Sequence, residues 1–130
     1  MVDLLDLDQQ MVSVKARVPI LGEINLSFVY ASCNRRDKMS LWEQIEVKSE
    51  SMRGDDRWAV MRDFNCILRG EEKRGGQPYN RSKSIDFQHC VDSAGLREIS
   101  FYGNQYTWWN GRKGSQAVWK RLDRGFANEG

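Results

Sequence analysis

Apolar and polar side chains alternate from Gln10 to Val18, with Met11, Val12, Val14, Ala16 and Val18 set against Ser13, Lys15 and Arg17. A period of two marks a half-buried strand. Pro19 to Glu23 read as a turn and Ile24 to Tyr30 resume the strand pattern, which predicts a hairpin. Residues 1–10 are acidic and predict no element, since they start without a cap or turn. After Asn34-Arg35-Arg36-Asp37, a helix beginning near Lys38 or Ser40 carries Leu41, Trp42 and Ile45 on one face. Arg53-Gly54-Asp55-Asp56 closes it, and Arg57–Met61 reads as a strand. Cys66 to Arg81 is a long polar, glycine-bearing loop, a length that is usually functional or mobile. Ser82 or Ser84 then caps a second helix, with Ile85, Phe87, Cys90, Val91 and Ala94 as its buried stripe and Gly95 as its stop. Leu96–Ser100 is short and apolar-edged. Gln105–Asn110 and Gln116–Phe126 read as two strands joined across Gly111–Ser115. This order predicts an α/β or α+β domain with helices covering a sheet.

One stretch carries candidate chemistry. The apolar run Trp58-Ala59-Val60-Met61 is followed, after Arg62, by Asp63-Phe64-Asn65. On a strand, Asp63 and Asn65 share a face while Phe64 points into the core. A carboxylate beside a carboxamide at the end of a buried strand suits a phosphate and a hard metal ion: the acid can coordinate the ion or hold a water, and the amide can bind a phosphoryl oxygen. The plainer alternative is a strand that leaves the core through an Asx-turn.

Composition narrows the class. With 130 residues, 40% apolar, 29% charged and five Trp, the chain has the make-up of a globular protein with one core. Net charge is only +2, but residues 1–60 hold 8 basic and 10 acidic side chains whereas residues 61–130 hold 12 and 8. The later part is the one that suits a phosphate backbone. Cys33, Cys66 and Cys90 form no C-x-x-C and predict reduced, mostly buried thiols rather than a zinc or disulfide framework. His89 is the only histidine and, on a helix, predicts a surface or half-buried residue, so no Ser-His-Asp triad is drawn. Gly75-Gly76 lacks the spacing of a phosphate-binding P-loop. No stretch has the length of a membrane span and no signal pattern opens the chain, so the expectation is an intracellular protein without a membrane partner.

Three more features stand with Asp63 and Asn65. Tyr30 ends an apolar strand, where its hydroxyl can reach a phosphate oxygen. Tyr106-Thr107-Trp108-Trp109-Asn110 packs three aromatics into five residues, of which one Trp is expected to be buried and its neighbour exposed to stack on a base or sugar. Trp119-Lys120-Arg121-Leu122-Asp123-Arg124 offers cations for phosphates and an acid that can orient a base, or else an exposed strand with a cross-strand ion pair.

Phe28-Val29-Tyr30-Ala31-Ser32, Asp63-Phe64-Asn65, Tyr106–Asn110 and Trp119-x-Arg121-Leu122-Asp123-Arg124, in this order, resemble the endonuclease/exonuclease/phosphatase superfamily. Within it they look most like the apurinic-type endonuclease domain of plant LINE-type (non-LTR) retrotransposons, and the likeness runs from about Gln10 to Asn128. The resemblance implies an α/β fold, a two-sheet α/β sandwich of the DNase I type. Residues 1–130 are expected to be a single incomplete domain of it, without its first strands and its last motif. It implies Mg²⁺-dependent hydrolysis of DNA phosphodiesters by an activated water, with the nucleus as the place of action. Asp63 would hold or deprotonate the water and meet the metal at most indirectly; Asn65 would position the phosphate; Tyr30 would contact it. Asp123 would orient a catalytic histidine. Trp108, Lys120 and Arg121 would line the DNA surface. Family members carry Gly where this chain has Arg62, and their metal-binding Glu and final Ser-Asp-His motif have no counterpart here, so the expected activity is weak or absent. The other readings are a non-catalytic nucleic-acid-binding remnant, an unselected gene fragment, and a phosphatase of small phosphoesters.

Overall fold

The computed structural model describes residues 2–7, 9–20, 22–99 and 105–128. In chain order the elements are β1 (Val2–Leu7), β2 (Met11–Val18), β3 (Gly22–Tyr30), α1 (Arg35–Glu50), β4 (Trp58–Asp63), β5 (Lys73–Arg74), α2 (Ile85–Ser93), β6 (Arg97–Glu98), β7 (Trp108–Trp109), β8 (Trp119–Lys120) and β9 (Asp123–Ala127), with three short 3₁₀ turns in the loops. Six strands form one mixed sheet in the order β1-β2-β3-β4-β9-β6, and β5-β8-β7 form a smaller one. The α/β class and the two-sheet architecture expected from the sequence are both present.

The predicted hairpin of β2 and β3 forms, running from Met11↔Val29 to Val18↔Gly22. At its turn Ile20 has φ 79° and Gly22 φ 87°. β1 was not expected: residues 2–7 pair antiparallel with β2, with a register shift between Leu4 and Asp6. Pairing with a ready edge supplies the order that the local sequence lacks. α1 begins three to five residues earlier than the periodicity suggests. Asn34 is its N-cap, and the Asn34 side chain accepts from the backbone N–H of Arg36 (2.8 Å) and of Asp37 (3.4 Å). β4 runs to Asp63, two residues beyond the expected strand. The short apolar segment over 96–100 yields β6, and Ser100 lies outside the described residues. The single strand expected over 116–126 is broken at Arg121-Leu122 into β8 and β9, which belong to different sheets.

Both helices cover one face of the large sheet. Trp42 of α1 stacks on Phe87 of α2 at 4.7 Å, Phe87 on Phe64 at 5.2 Å, and Phe126 of β9 meets Phe64 edge-on at 5.2 Å. This aromatic chain is the centre of the core. The alternation of β2 is real, but its faces are reversed. Ser13 and Ser27 are buried under the helices, where their hydroxyls pair at 2.8 Å and Ser27 accepts from Trp58 Nε1 at 3.0 Å. A satisfied hydroxyl chain removes the penalty of burying these groups. Val12, Val14, Leu26 and Met61 are only half-buried and Phe28 is exposed, so the apolar edge of the pattern turns away from the helices. Ile85 is also exposed, leaving Phe87, Cys90, Val91 and Ala94 as the buried stripe of α2.

The two sheets are joined through Glu72. Its carboxylate is buried and binds Arg124 of β9 (2.5 and 3.2 Å) and the N–H of Leu68 (2.7 Å), while its backbone carbonyl accepts from Arg121 N–H (2.8 Å). Arg124 also reaches the Arg121 carbonyl at 2.9 Å and lies over the Phe87 ring. Burial pushes the Glu72 carboxyl up, but Arg124, the Leu68 N–H and Arg69 outweigh it and hold the group below its ordinary 4.5. A second close approach sits beside it. A Cβ on Gly75 would lie 2.1 Å from the Ala117 carbonyl oxygen, and φ there is +83°. Only glycine lets the two backbones meet.

Glu72→Ala strands Arg124 in the core and is expected to cost about 3–5 kcal/mol in urea unfolding at pH 7. A depressed carboxyl contributes its stability above pH 4.5 and loses it as pH falls through the folded value. The gap between wild type and variant therefore narrows in acid, and a gap that is constant from pH 7 to strong acid would sink the assignment.

Candidate active site

Parallel pairing of β3 with β4 sets Tyr30 opposite Asp63, and antiparallel pairing of β4 with β9 sets Asp63 opposite Asp123. Three of the expected site residues thus stand in one row across the ends of three adjacent strands. The row is tied at its backbone: Ala31 N–H donates to Asp63 O (2.8 Å) and Phe64 N–H to Leu122 O (3.0 Å). Thr107 holds the far end, its Oγ1 accepting from the N–H groups of Leu122 and Asp123, each at 3.0 Å.

Asn65 joins the row through a turn. Phe64 is buried in the core as expected, and Asn65 then adopts φ +48°, which Asn tolerates better than most residues. β4 ends at Asp63, so the strand expected to carry Asp63 and Asn65 on one face gives way to the Asx-turn, in which Asn65 N–H donates to Asp63 Oδ1 at 2.8 Å. Asn65 Nδ2 lies 3.4 Å from Ala31 O, and Asn65 O accepts from Lys38 Nζ at 3.0 Å. Tyr30 is largely exposed beside this cluster.

Electrostatics in the row oppose its own charge. Burial raises the Asp63 carboxyl above its ordinary 3.8; the Asn65 N–H lowers it, the facing Asp123 raises it again, and Arg62 lowers it. Arg62 has φ +108°, a conformation that only glycine adopts without strain, at the position where the resembled family carries glycine. Among the described residues no group of three or more His, Cys, Asp or Glu is placed to hold a metal. Two facing carboxylates nonetheless fit a hard cation that keeps most of its ligands as water and substrate phosphate.

The remaining expected residues divide. Lys120 Nζ lies over the Trp108 ring, 5.6 Å from its centroid, and Trp108 is 43% exposed. Trp109 is 48% exposed as well, so neither Trp is buried on the two-residue β7 of the small sheet. Arg121 is not on the surface. Its side chain is 8% exposed, 2.6 Å from Glu98 Oε2, and belongs to the ion network of Arg124 and Glu72. His89 is on the surface of the helix layer as expected, 3.6 Å from Glu46. The thiols are reduced, with Cys33 exposed rather than buried, Cys66 half-buried, and Cys90 buried with its pKa pushed up to about 12, by burial and then by Glu46. Lys38 and Thr107 carry no sequence signal of their roles, because both act through backbone atoms of residues distant in the chain.

Two substitutions test this electrostatic picture. Arg62→Gly relieves a strained φ and is expected to stabilise by about 1 kcal/mol, the strain of roughly 1–3 kcal/mol being partly offset by the entropy of glycine. Asp63→Asn is expected to raise Tm at pH 7. A raised carboxyl holds its proton in the folded chain after the unfolded chain has lost it, so its contribution is complete below pH 3.8 and falls as pH rises through the folded value. The advantage of Asn therefore disappears in acid; thermal melts from pH 3 to 8 decide it.

By sequence the chain matches no protein-family model and no curated protein. By structure it is similar to the endonuclease domain of TRAS1, a telomere-specific non-LTR retrotransposon, with a TM-score of 0.71 and 20% identity over 98% of this chain and 56% of that one. It is similar to TDP2 of D. rerio complexed with a single-strand DNA product (TM-score 0.56, 14% identity, 98% and 53% covered). It is also similar to an endonuclease/exonuclease/phosphatase protein of Beutenbergia cavernae (TM-score 0.55, 16% identity, 99% and 36% covered). The chain spans about half the length, or less, of these structures. Its two sheets and helical layer have the fold of the endonuclease/exonuclease/phosphatase proteins.

Proposed function

We propose that the chain is an endonuclease-like domain whose Tyr30–Asp63–Asp123 row, with Asn65, acts on DNA phosphodiester bonds. The observation that carries this reading is the row itself: separate motifs of the resemblance, from three distant parts of the chain, meet at adjacent strand ends. Asp63 is the proton acceptor. Its carboxyl is raised above the ordinary 3.8 by burial and by Asp123, which improves a base for water while Asn65 N–H fixes its orientation. The Tyr30 hydroxyl and the Asn65 amide are the donors for phosphoryl oxygens as charge develops there. Asp123 would hold Mg²⁺, with Asp63 meeting it at most through a water; when bound, the ion supplies charge neutralisation for the phosphate and its attacking water.

The activity proposed for this chain alone is slow. The one histidine, His89, pairs with Glu46 rather than with Asp123, and no third carboxylate among the described residues joins the row. Missing transition-state contacts lower kcat and kcat/KM together. The proposal extends to origin, a LINE-type element of the plant kind, and to the nucleus as the place of action. A binding-only remnant is the second reading, favoured by the exposed Trp108 with Lys120 above it, a surface that stacks bases without chemistry.

Nicking of supercoiled plasmid by the purified chain, with Mg²⁺ or with chelator, separates the two. Slow Mg²⁺-dependent nicking that Asp63→Asn removes is the expected outcome. Salt-sensitive DNA binding with no nicking above the chelator control, and unchanged in Asp63→Asn, would establish the remnant instead.

A further inference from the structure

Asn65 has a second neighbourhood that the row does not use. Beside it opens a cavity of about 150 Å³ walled by Lys38 from α1, Lys73 from β5 and Lys120 from β8. Asn65, Asn80 and Tyr79 line it as well, and no carboxylate is among its described lining residues. Two of the ammonium groups are held by carbonyl oxygens at its wall, Lys38 on Asn65 O and Lys73 on Gln77 O. A carbonyl takes one of the three N–H donors of an ammonium and leaves the charge in place. The Tyr79 hydroxyl, bonded to Leu68 O at 2.9 Å and to Ser84 at 2.5 Å, fixes the far side. The positive field reaches Cys66 in the lining. Burial raises its thiol above the ordinary 9.0, with Lys38, Arg124 and Lys120 pulling it down and Glu72 pushing it up.

Three cations around amide donors select an anion, and size narrows which one. The volume is well below the roughly 300 Å³ at which sites for whole small molecules begin. A single phosphate group matches that size. Lysine ammonium groups are point charges that grip phosphate without reading a base. We propose that this cavity is a second phosphate subsite, which takes the backbone phosphate neighbouring the one held at the Tyr30–Asp63–Asp123 row. Asn65 is the shared wall, in contact with Asp63 on one side and lining the cavity on the other. The subsite rests on the reading that the row acts on a nucleic-acid strand, and it assigns a register: the strand crosses Asn65, with one phosphate on each side.

The test uses the whole chain and a short single-stranded oligodeoxynucleotide, without metal. Binding is followed by fluorescence anisotropy across a salt series, and cavity occupancy by the alkylation rate of Cys66, with the exposed Cys33 as internal reference. The oligonucleotide is expected to slow Cys66 alkylation severalfold and leave Cys33 unchanged. Lys73→Gln is expected to abolish that protection and to make the salt slope shallower by about 0.7; circular dichroism confirms that it is folded. Lys73 is preferred to Lys120, which also lies over Trp108. Anisotropy binding with full Cys66 reactivity would overturn the subsite while leaving the row's reading intact. Protection by inorganic phosphate but not by the oligonucleotide would overturn the strand as ligand. A folded chain that binds no oligonucleotide would overturn the subsite, and the row's reading is then decided separately by the nicking of supercoiled plasmid.

Discussion

The buried contact between Glu72 and Arg124 is the constraint on which the rest of the structure depends. Glu72 sits in a polar loop and Arg124 on a central strand of the large sheet, and their carboxylate–guanidinium pair is closed off from solvent. Removing two charges from water is costly, and the pair recovers the cost with the help of hydrogen bonds to Leu68 N–H and the Arg121 carbonyl and of the nearby Arg69 and Glu98. Those same bonds fix the places of β8 and β9. Asp123 immediately precedes Arg124, so the clasp that joins the sheets also sets the acid opposite Asp63. One Arg124 nitrogen, Nε, is buried without a hydrogen-bond partner among the described residues. The clasp is therefore a determinant of geometry more than a source of surplus stability.

At the row itself the structure works against its own ease. Two carboxylates face each other, one of them partly buried, and the preceding residue is held at φ +108°. Each departure costs stability, and together they favour positive charge beside Asp63. Arg62 meets part of that need from within the chain, since its charge lowers the Asp63 carboxyl. The long side chain that strains the backbone thus partly neutralises the site.

What could be read from the sequence was whatever short-range pattern determines. Alternation located β2 and β3, the run Trp58–Met61 located β4, and the succession of motifs brought Tyr30, Asp63, Asn65 and Asp123 to notice before any pairing was known. Features settled by distant partners were not readable. The β1 strand exists because β2 offers an edge. The alternation of β2 said that one face was apolar but not which face the helices cover; the hydroxyl chain through Ser13, Ser27 and Trp58 reversed the obvious choice. Arg121 looked like a surface cation because its partner, Glu98, lies 23 residues away. Asn34 was within reach, since an Asn before a charged helical turn is a cap signal that the apolar periodicity outweighed.

The sheet order has a consequence for how the molecule comes into being. β1 to β4 are sequence neighbours in a hairpin series and one crossover, whereas β9 must travel some sixty residues to lie between β4 and β6. Loop closure over such a span is slow compared with local pairing. Emerging from a ribosome, the chain has Tyr30 and Asp63 in register while Asp123 is still to be made, and the row is finished by the insertion of β9. Assembly of the Tyr30–Asp63–Asp123 row is thus a late event of folding, and a chain stalled before that step holds β1 to β4 without the acid that faces Asp63.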